Sequence, residues 1–296
     1  MAFAAVYLIW GSTYLAIAFA IESIPPFLMI GSRFFIAGTV LYAFLRLKGL
    51  DAPNPKRAAN ASIIGLLTLG IGTGFVAWAE QHIDSGLAAL IITAVPLWLV
   101  LLDWKMLKGG APSRPVIIGL VLGFVGISVL VGPDILSGVT DSNGLAVVLV
   151  LIATICWSGG SLRSKMIDMP VNLFMSSAVQ MAMGGFLVCI IGLALGEARG
   201  FDLTAISEKS AWAWAYLVVF GSFGAYSAYV WLLAHAPPKQ IASYAFVNPV
   251  VAIFLGWWLA DEVVSGRILV AAAIMVTAVA LLIVYGGKRE PREKTE

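Results

Sequence analysis

The sequence predicts an all-α integral membrane protein of ten transmembrane helices arranged as two inverted five-helix repeats. Three observations predict it. Of 296 residues, 60% are hydrophobic and 11% charged, against about 25% charged in ordinary soluble domains. Apolar stretches of about 20 residues recur from end to end, each long enough to cross a hydrocarbon core about 30 Å thick. Landmark residues also recur at a fixed offset between the two halves of the chain.

Apolar runs between charged or Pro/Gly-rich breaks place spans at 2–21, 27–45, 59–79, 86–104 and 115–132, then at 144–162, 171–195, 211–234, 240–260 and 267–286. The first span lacks a basic leader of its own, so it reads as a mature helix with a short cytoplasmic segment expected ahead of it. Loops are short, with helix-ending pairs at Pro25-Pro26 and Pro237-Pro238, so function is expected inside the bundle. Basic residues near span ends are retained in the cytoplasm. With both termini inside, fourteen fall on the cytoplasmic side, from Arg46 to Lys294, and three on the other: Arg199, Lys209 and Arg267.

Sliding the chain by 153 residues places Trp78 on Trp231, His82 on His235, Pro96 on Pro249, Trp104 on Trp257 and Arg114 on Arg267. A shift of 147 places Trp10 on Trp157, Phe27 on Phe174 and Arg33 on Gln180. A constant offset across several landmarks marks an internal repeat. Residues 1–141 form the first five-helix unit, 142–287 the second and 288–296 a cytoplasmic tail. An odd number of crossings forces the second copy to enter the membrane upside down. Inverted repeats build alternating access around a midplane site, which points to a carrier.

Several residues sharpen this reading. Tyr7-Leu8-Ile9-Trp10-Gly11-Ser12-Thr13-Tyr14 opens the chain, Arg33-Phe34 lies in span two, and Ala79-Glu80 and Ser85-Gly86 flank the turn after span three. Ser243 to Pro249, reading Ser-Tyr-Ala-Phe-Val-Asn-Pro, completes the set. Together they resemble the EamA branch of the drug/metabolite transporter superfamily, over essentially the whole chain. The resemblance implies a bacterial inner-membrane exporter of amino acids or other amphipathic or aromatic metabolites. It also implies a central cavity built from the first four helices of each repeat, with the fifth and tenth supporting it.

Candidate cavity residues are Trp10, Tyr14, Trp98, Trp157, Gln180, Tyr244 and Asn248, since aromatic walls suit flat or amphipathic substrates. Val95-Pro96 and Asn248-Pro249 mark paired helix interruptions, a pointer to a transporter site. Arg33 lies about 9 Å into its span, at a depth where charge is costly, and reads as an outer gate paired with Glu80 or, second, Glu22. Glu80, His82 and Asp84 lie at the outer end of span three. His82 has no second ligand in helical register, and Cys156 and Cys189 belong to no CxxC, so no metal or other cofactor is expected. Gly119 and Gly123 form a GxxxG that serves close helix approach or a homodimer, leaving the working unit a monomer or a homodimer.

The expected partners are the lipid bilayer and a small-molecule substrate. No basic surface interleaved with aromatics supports nucleic-acid binding. The sequence holds no HExxH, GxSxG or P-loop, which argues against an enzyme or a self-contained ATP-driven pump. No Asp or Glu lies in the middle of a span, so export driven by the substrate gradient leads, with proton antiport through Glu80 or His82 as the alternative. A channel or receptor-like protein is the alternative of a different class.

Overall fold

In a computed structural model, residues 1–106, 112–136, 142–236 and 243–285 are described; they are helical with short connections and contain no strand. The Pro237-Pro238 turn, Lys108, Lys239 and the expected tail 288–296 lie outside the described residues. The helices are α1 Ala2–Ala20, α2 Pro26–Leu47, α3 Pro55–Gly65, α4 Gly72–Ala79, α5 Ser85–Ile92, α6 Val95–Met106 and α7 Arg114–Leu136. They continue with α8 Ser142–Ser164, α9 Leu173–Ala194, α10 Glu208–Tyr216, α11 Ala225–His235, α12 Tyr244–Ala260 and α13 Gly266–Tyr285. Local chemistry sets several starts. Pro26 and Pro55 open α2 and α3, where a missing N–H costs nothing. The Asn54 and Asn172 side chains accept from Arg57 N (2.8 Å) and Met175 N (3.0 Å), capping α3 and α9.

Among the described residues, seven helical segments are long and apolar enough to cross a membrane: Ala2–Ala20, Pro26–Leu47, Pro55–Ala79, Ser85–Lys105, Asn143–Ser164, Leu173–Ala194 and Gly266–Tyr285. Arg114–Leu130 and Val247–Ala260 are shorter apolar helices. Residues such as Phe44, Ile118, Val121, Phe254, Trp257 and Leu269 stand exposed on the outside, which suits acyl chains rather than water. The chain is a multi-pass membrane protein.

Two features depart from the sequence expectation. Pro96 does follow a break, between α5 and α6, but Pro249 lies inside an unbroken α12. The expected pair of interruptions is therefore one interruption and one continuous helix; at Pro249 the helix absorbs the loss of a single N–H near its start. Second, α3 and α4 are joined by a π-helical stretch, Leu66–Ile71, and α10 and α11 by another, Leu217–Gly224. Both end at the 153-residue offset, and neither was foreseen. The same offset carries a local contact. His82 stacks on Trp78 (4.5 Å) and His235 on Trp231 (4.3 Å), each with Nδ1 facing the Trp carbonyl.

The two halves interlock. Helix α9 of the second half lies along α2 and α3 of the first, and α12 packs on α1 and α5. The α2/α9 contact is the most extensive among the described residues, because small residues let the backbones meet. A Cβ on Gly38 would overlap Ala182 N, and one on Gly185 would overlap Phe35 N. Helices α7 and α13 pair beside the bundle. There Gly119 faces Ala278 and Leu281, while Gly123 faces Leu97, so the GxxxG is engaged within the chain.

Candidate functional site

A cavity of about 150 Å³ lies between the halves, walled by residues from α1, α2, the π-turn before α4, α4, α5, α6, α8, the π-turn before α11, α11 and α12. Five of the seven candidate cavity residues line it: Trp10, Tyr14, Trp157, Tyr244 and Asn248. Trp10 anchors an aromatic group, with ring centroids 5.0 Å from Tyr229 and 5.4 Å from Tyr244, edge-on to the latter. Its indole N–H donates to the Gly221 carbonyl at 3.3 Å, fixing the ring against the second π-turn. With its amide nitrogen facing two carbonyls, Asn248 donates to Tyr244 O (3.2 Å) and Tyr7 O (3.3 Å) and so ties α12 to α1.

Two candidates are not brought to the cavity. Trp98 turns outward to meet Phe124 edge-on at 5.6 Å, on the side of α6 that supports α7. Gln180 packs its backbone against Gly65 and donates its amide to Ser176 Oγ at 3.1 Å.

The expected gate pairs are not formed either. Arg33 is 4% exposed and lines the cavity, but its Nε donates to Ser222 Oγ at 3.0 Å. Its guanidinium also lies 4.8 Å from the centre of the Phe34 ring. Glu22 bonds instead to Lys209 at 2.5 Å, with both side chains about half exposed. Glu80 is buried, and neither carboxylate oxygen has a hydrogen-bond partner among the described residues. A hydroxyl and an aromatic face meet Arg33 where charge matching alone assigns a carboxylate.

Carboxylates act elsewhere, as caps between the halves. Glu262, just after α12, accepts from Ser85 N (2.9 Å), Ser85 Oγ (2.6 Å) and Gly86 N (3.0 Å) at the start of α5. Glu197, after α9, accepts from Phe27 N (3.1 Å) and Leu28 N (2.8 Å) at the start of α2. Each answers the orphan N–H groups and positive end of a helix. At the opposite ends of these helices, Arg57 pairs with Asp168 at 2.9 Å and Tyr7 shares a 2.6 Å hydrogen bond with Ser243. Ser222, Gly221, Glu197 and Glu262 were all missed from sequence. The acidic residue closing the ninth apolar run was a signal for Glu262; Ser222 offered none.

The EamA-like transporter family model matches the chain twice, over residues 1–132 and 144–284. The chain belongs to the EamA-like transporter family. It is 39% identical over 280 residues to the uncharacterized inner membrane transporter YedA of Escherichia coli K12, covering 94% of this chain and 88% of that one. It is 22% identical to the uncharacterized transporter YoaV of Bacillus subtilis, covering 91% of each. A solved crystal structure superposes with a TM-score of 0.64 over 97% of both chains at 19% identity, which shows the fold alone. Within this EamA-like chain, the break between the two family matches falls between α7 and α8. The cavity is thus walled by both copies.

Proposed function

We propose that this EamA-like protein is a secondary transporter of the bacterial inner membrane, exporting small amphipathic metabolites, amino acids among them, down their own gradient by alternating access. One observation carries the reading: a cavity enclosed by both family-matched halves, with aromatic rings from α1, α8 and α12 on its wall. The name of YedA supports the compartment. Ten crossings follow from the apolar runs of the sequence, and cytoplasmic termini from the basic-residue count. In that arrangement the Glu197 and Glu262 caps stand at the extracytoplasmic end and hold it shut. The Arg57–Asp168 pair stands at the cytoplasmic end.

The topology is read with reporters. Fusions after Leu50 and Lys288 give a cytoplasmic signal and a fusion after Thr140 a periplasmic one. A cytoplasmic signal at Thr140 removes the inverted repeat. The site is read with Trp10→Ala and Trp157→Ala, each of which lowers export of the accumulated metabolite more than about tenfold while folded protein stays within about twofold of the native level. Loss of folded protein in proportion to export returns both rings to core packing.

The unpartnered carboxylate of Glu80 supports a second reading, proton-coupled antiport, because a buried acid without a partner favours carrying a proton. Collapsing the pH gradient across vesicles separates the two: gradient-driven export continues, and coupled export stops.

A further inference from the structure

We propose that Arg33 is the anion-binding group of the cavity, and that the transported metabolite carries a single carboxylate that meets it, with the apolar part against Trp10 and Tyr244. The inference rests on the transporter reading above and names its substrate class. Arg33 is 4% exposed, yet its Nε–H to Ser222 is the guanidinium's one hydrogen bond among the described residues. No carboxylate among them lies within 4.0 Å of it. Ser222 takes the Nε edge, and Phe34 takes one face. The end carrying Nη1 and Nη2 is left without a hydrogen-bond partner among the described residues. Charge so far from water calls for an opposite charge, and this end of the fork matches a carboxylate with two parallel hydrogen bonds.

The seat is constructed for this. Ser222 donates its own proton to the Leu217 carbonyl at 3.1 Å, so its lone pair is turned to Arg33. That carbonyl opens the π-helical turn, a geometry frequent at functional sites. A Cβ on Gly221 would lie 2.7 Å from Nη2, so only glycine lets the guanidinium rest there; Gly221 itself lines the cavity. Among the described residues, no Asp or Glu lines the cavity beside Arg33. The wall therefore carries one positive charge, which one carboxylate neutralises. A phosphate monoester, with nearly two negative charges, exceeds it, and an ammonium is repelled.

The test uses three probes that share a benzyl group: phenylacetate, phenylacetamide and phenethylamine. Binding to the purified full chain in nanodiscs is followed by quenching of tryptophan fluorescence. Phenylacetate binds at least about tenfold more tightly than either of the others, and Arg33→Gln abolishes that preference. Arg33→Lys, which keeps the charge but not the fork, retains the preference at weaker affinity and shows that the position tolerates substitution. Equal binding of the three probes, preference for the amine, a preference that survives in Arg33→Gln, or no binding of phenylacetate at millimolar concentration overturns the proposal. Metabolites enriched in the medium of overproducing cells are read separately. Enrichment of carboxylates supports the anion site, and enrichment of neutral or cationic compounds alone overturns it. No enrichment at all removes the transporter reading while the binding result stands on its own.

Discussion

Gly185→Val leaves less than about a tenth of the native amount of folded protein in the membrane, a shift of at least about 1.4 kcal/mol. A Cβ at this position would overlap Phe35 N and lie 2.6 Å from the Gly31 carbonyl oxygen, and both are backbone atoms that no rotamer change moves aside. Valine therefore forces α9 away from α2. In lipid, helices associate through close packing, since tails are as apolar as the side chains they replace. Separation forfeits contacts along both helices at once, so the cost lies at or above the 1–3 kcal/mol, roughly, of an overpacked core. Gly159→Val is the control, because a Cβ there meets nothing within 4 Å. Size-exclusion of fluorescently tagged protein in mild detergent measures both. Equal monomer peaks for the two variants would show that the α2/α9 contact tolerates displacement.

The elements that the sequence revealed are those set by local or strongly periodic chemistry. Apolar runs gave the helices to within a few residues, and Pro25-Pro26 and Pro96 marked breaks between helices because a missing N–H has a fixed local consequence. Pro249 misled because the same residue inside α12 is tolerated when its neighbours hold the helix. The π-turns were invisible: Leu66–Ile71 and Leu217–Gly224 are ordinary apolar runs, and their widening depends on packing across the bundle.

The site divides along the same line. Deep aromatics could be placed by depth, so Trp10, Tyr14, Trp157 and Tyr244 reach the cavity, but depth does not report which way a helix faces, and Trp98 turned outward. Arg33 was conspicuous and its environment was not. Charge matching selects acids, whereas the fold supplies Ser222, Phe34 and a glycine seat, the hydroxyl 189 residues away. Two of the carboxylates that bridge the halves, Glu197 and Glu262, point at helix ends rather than at cations, a pairing that leaves no trace in charge counts.

Glu262→Ala opens the end of the molecule where α5 meets α12. The native carboxylate gathers three hydrogen bonds from Ser85 and Gly86, and Gly256 is needed to clear it, since a Cβ there would lie 2.6 Å from Glu262 Cδ. Ser85 is buried, so alanine strands its N–H and hydroxyl as well as the Gly86 N–H. Loss of this cap costs about 2 kcal/mol of the contact between α5 and α12. Under the proposed topology this contact seals the extracytoplasmic end. Weakening it shifts the population toward the outward-open form by roughly thirtyfold, so long as that form lacks the cap altogether. A cysteine at Leu87, with Cys156 and Cys189 replaced by alanine, then reacts with a membrane-impermeant maleimide added from outside at least about tenfold faster in Glu262→Ala than in its parent. Export falls in parallel, because a carrier held open on one side cannot return for substrate. Glu262→Gln separates geometry from charge. An amide oxygen still accepts from the helix end but brings no negative charge to its dipole, so labelling lies between parent and alanine variant. Unchanged labelling in Glu262→Ala would mean that the apolar contact of α12 with α5 closes this end without the carboxylate.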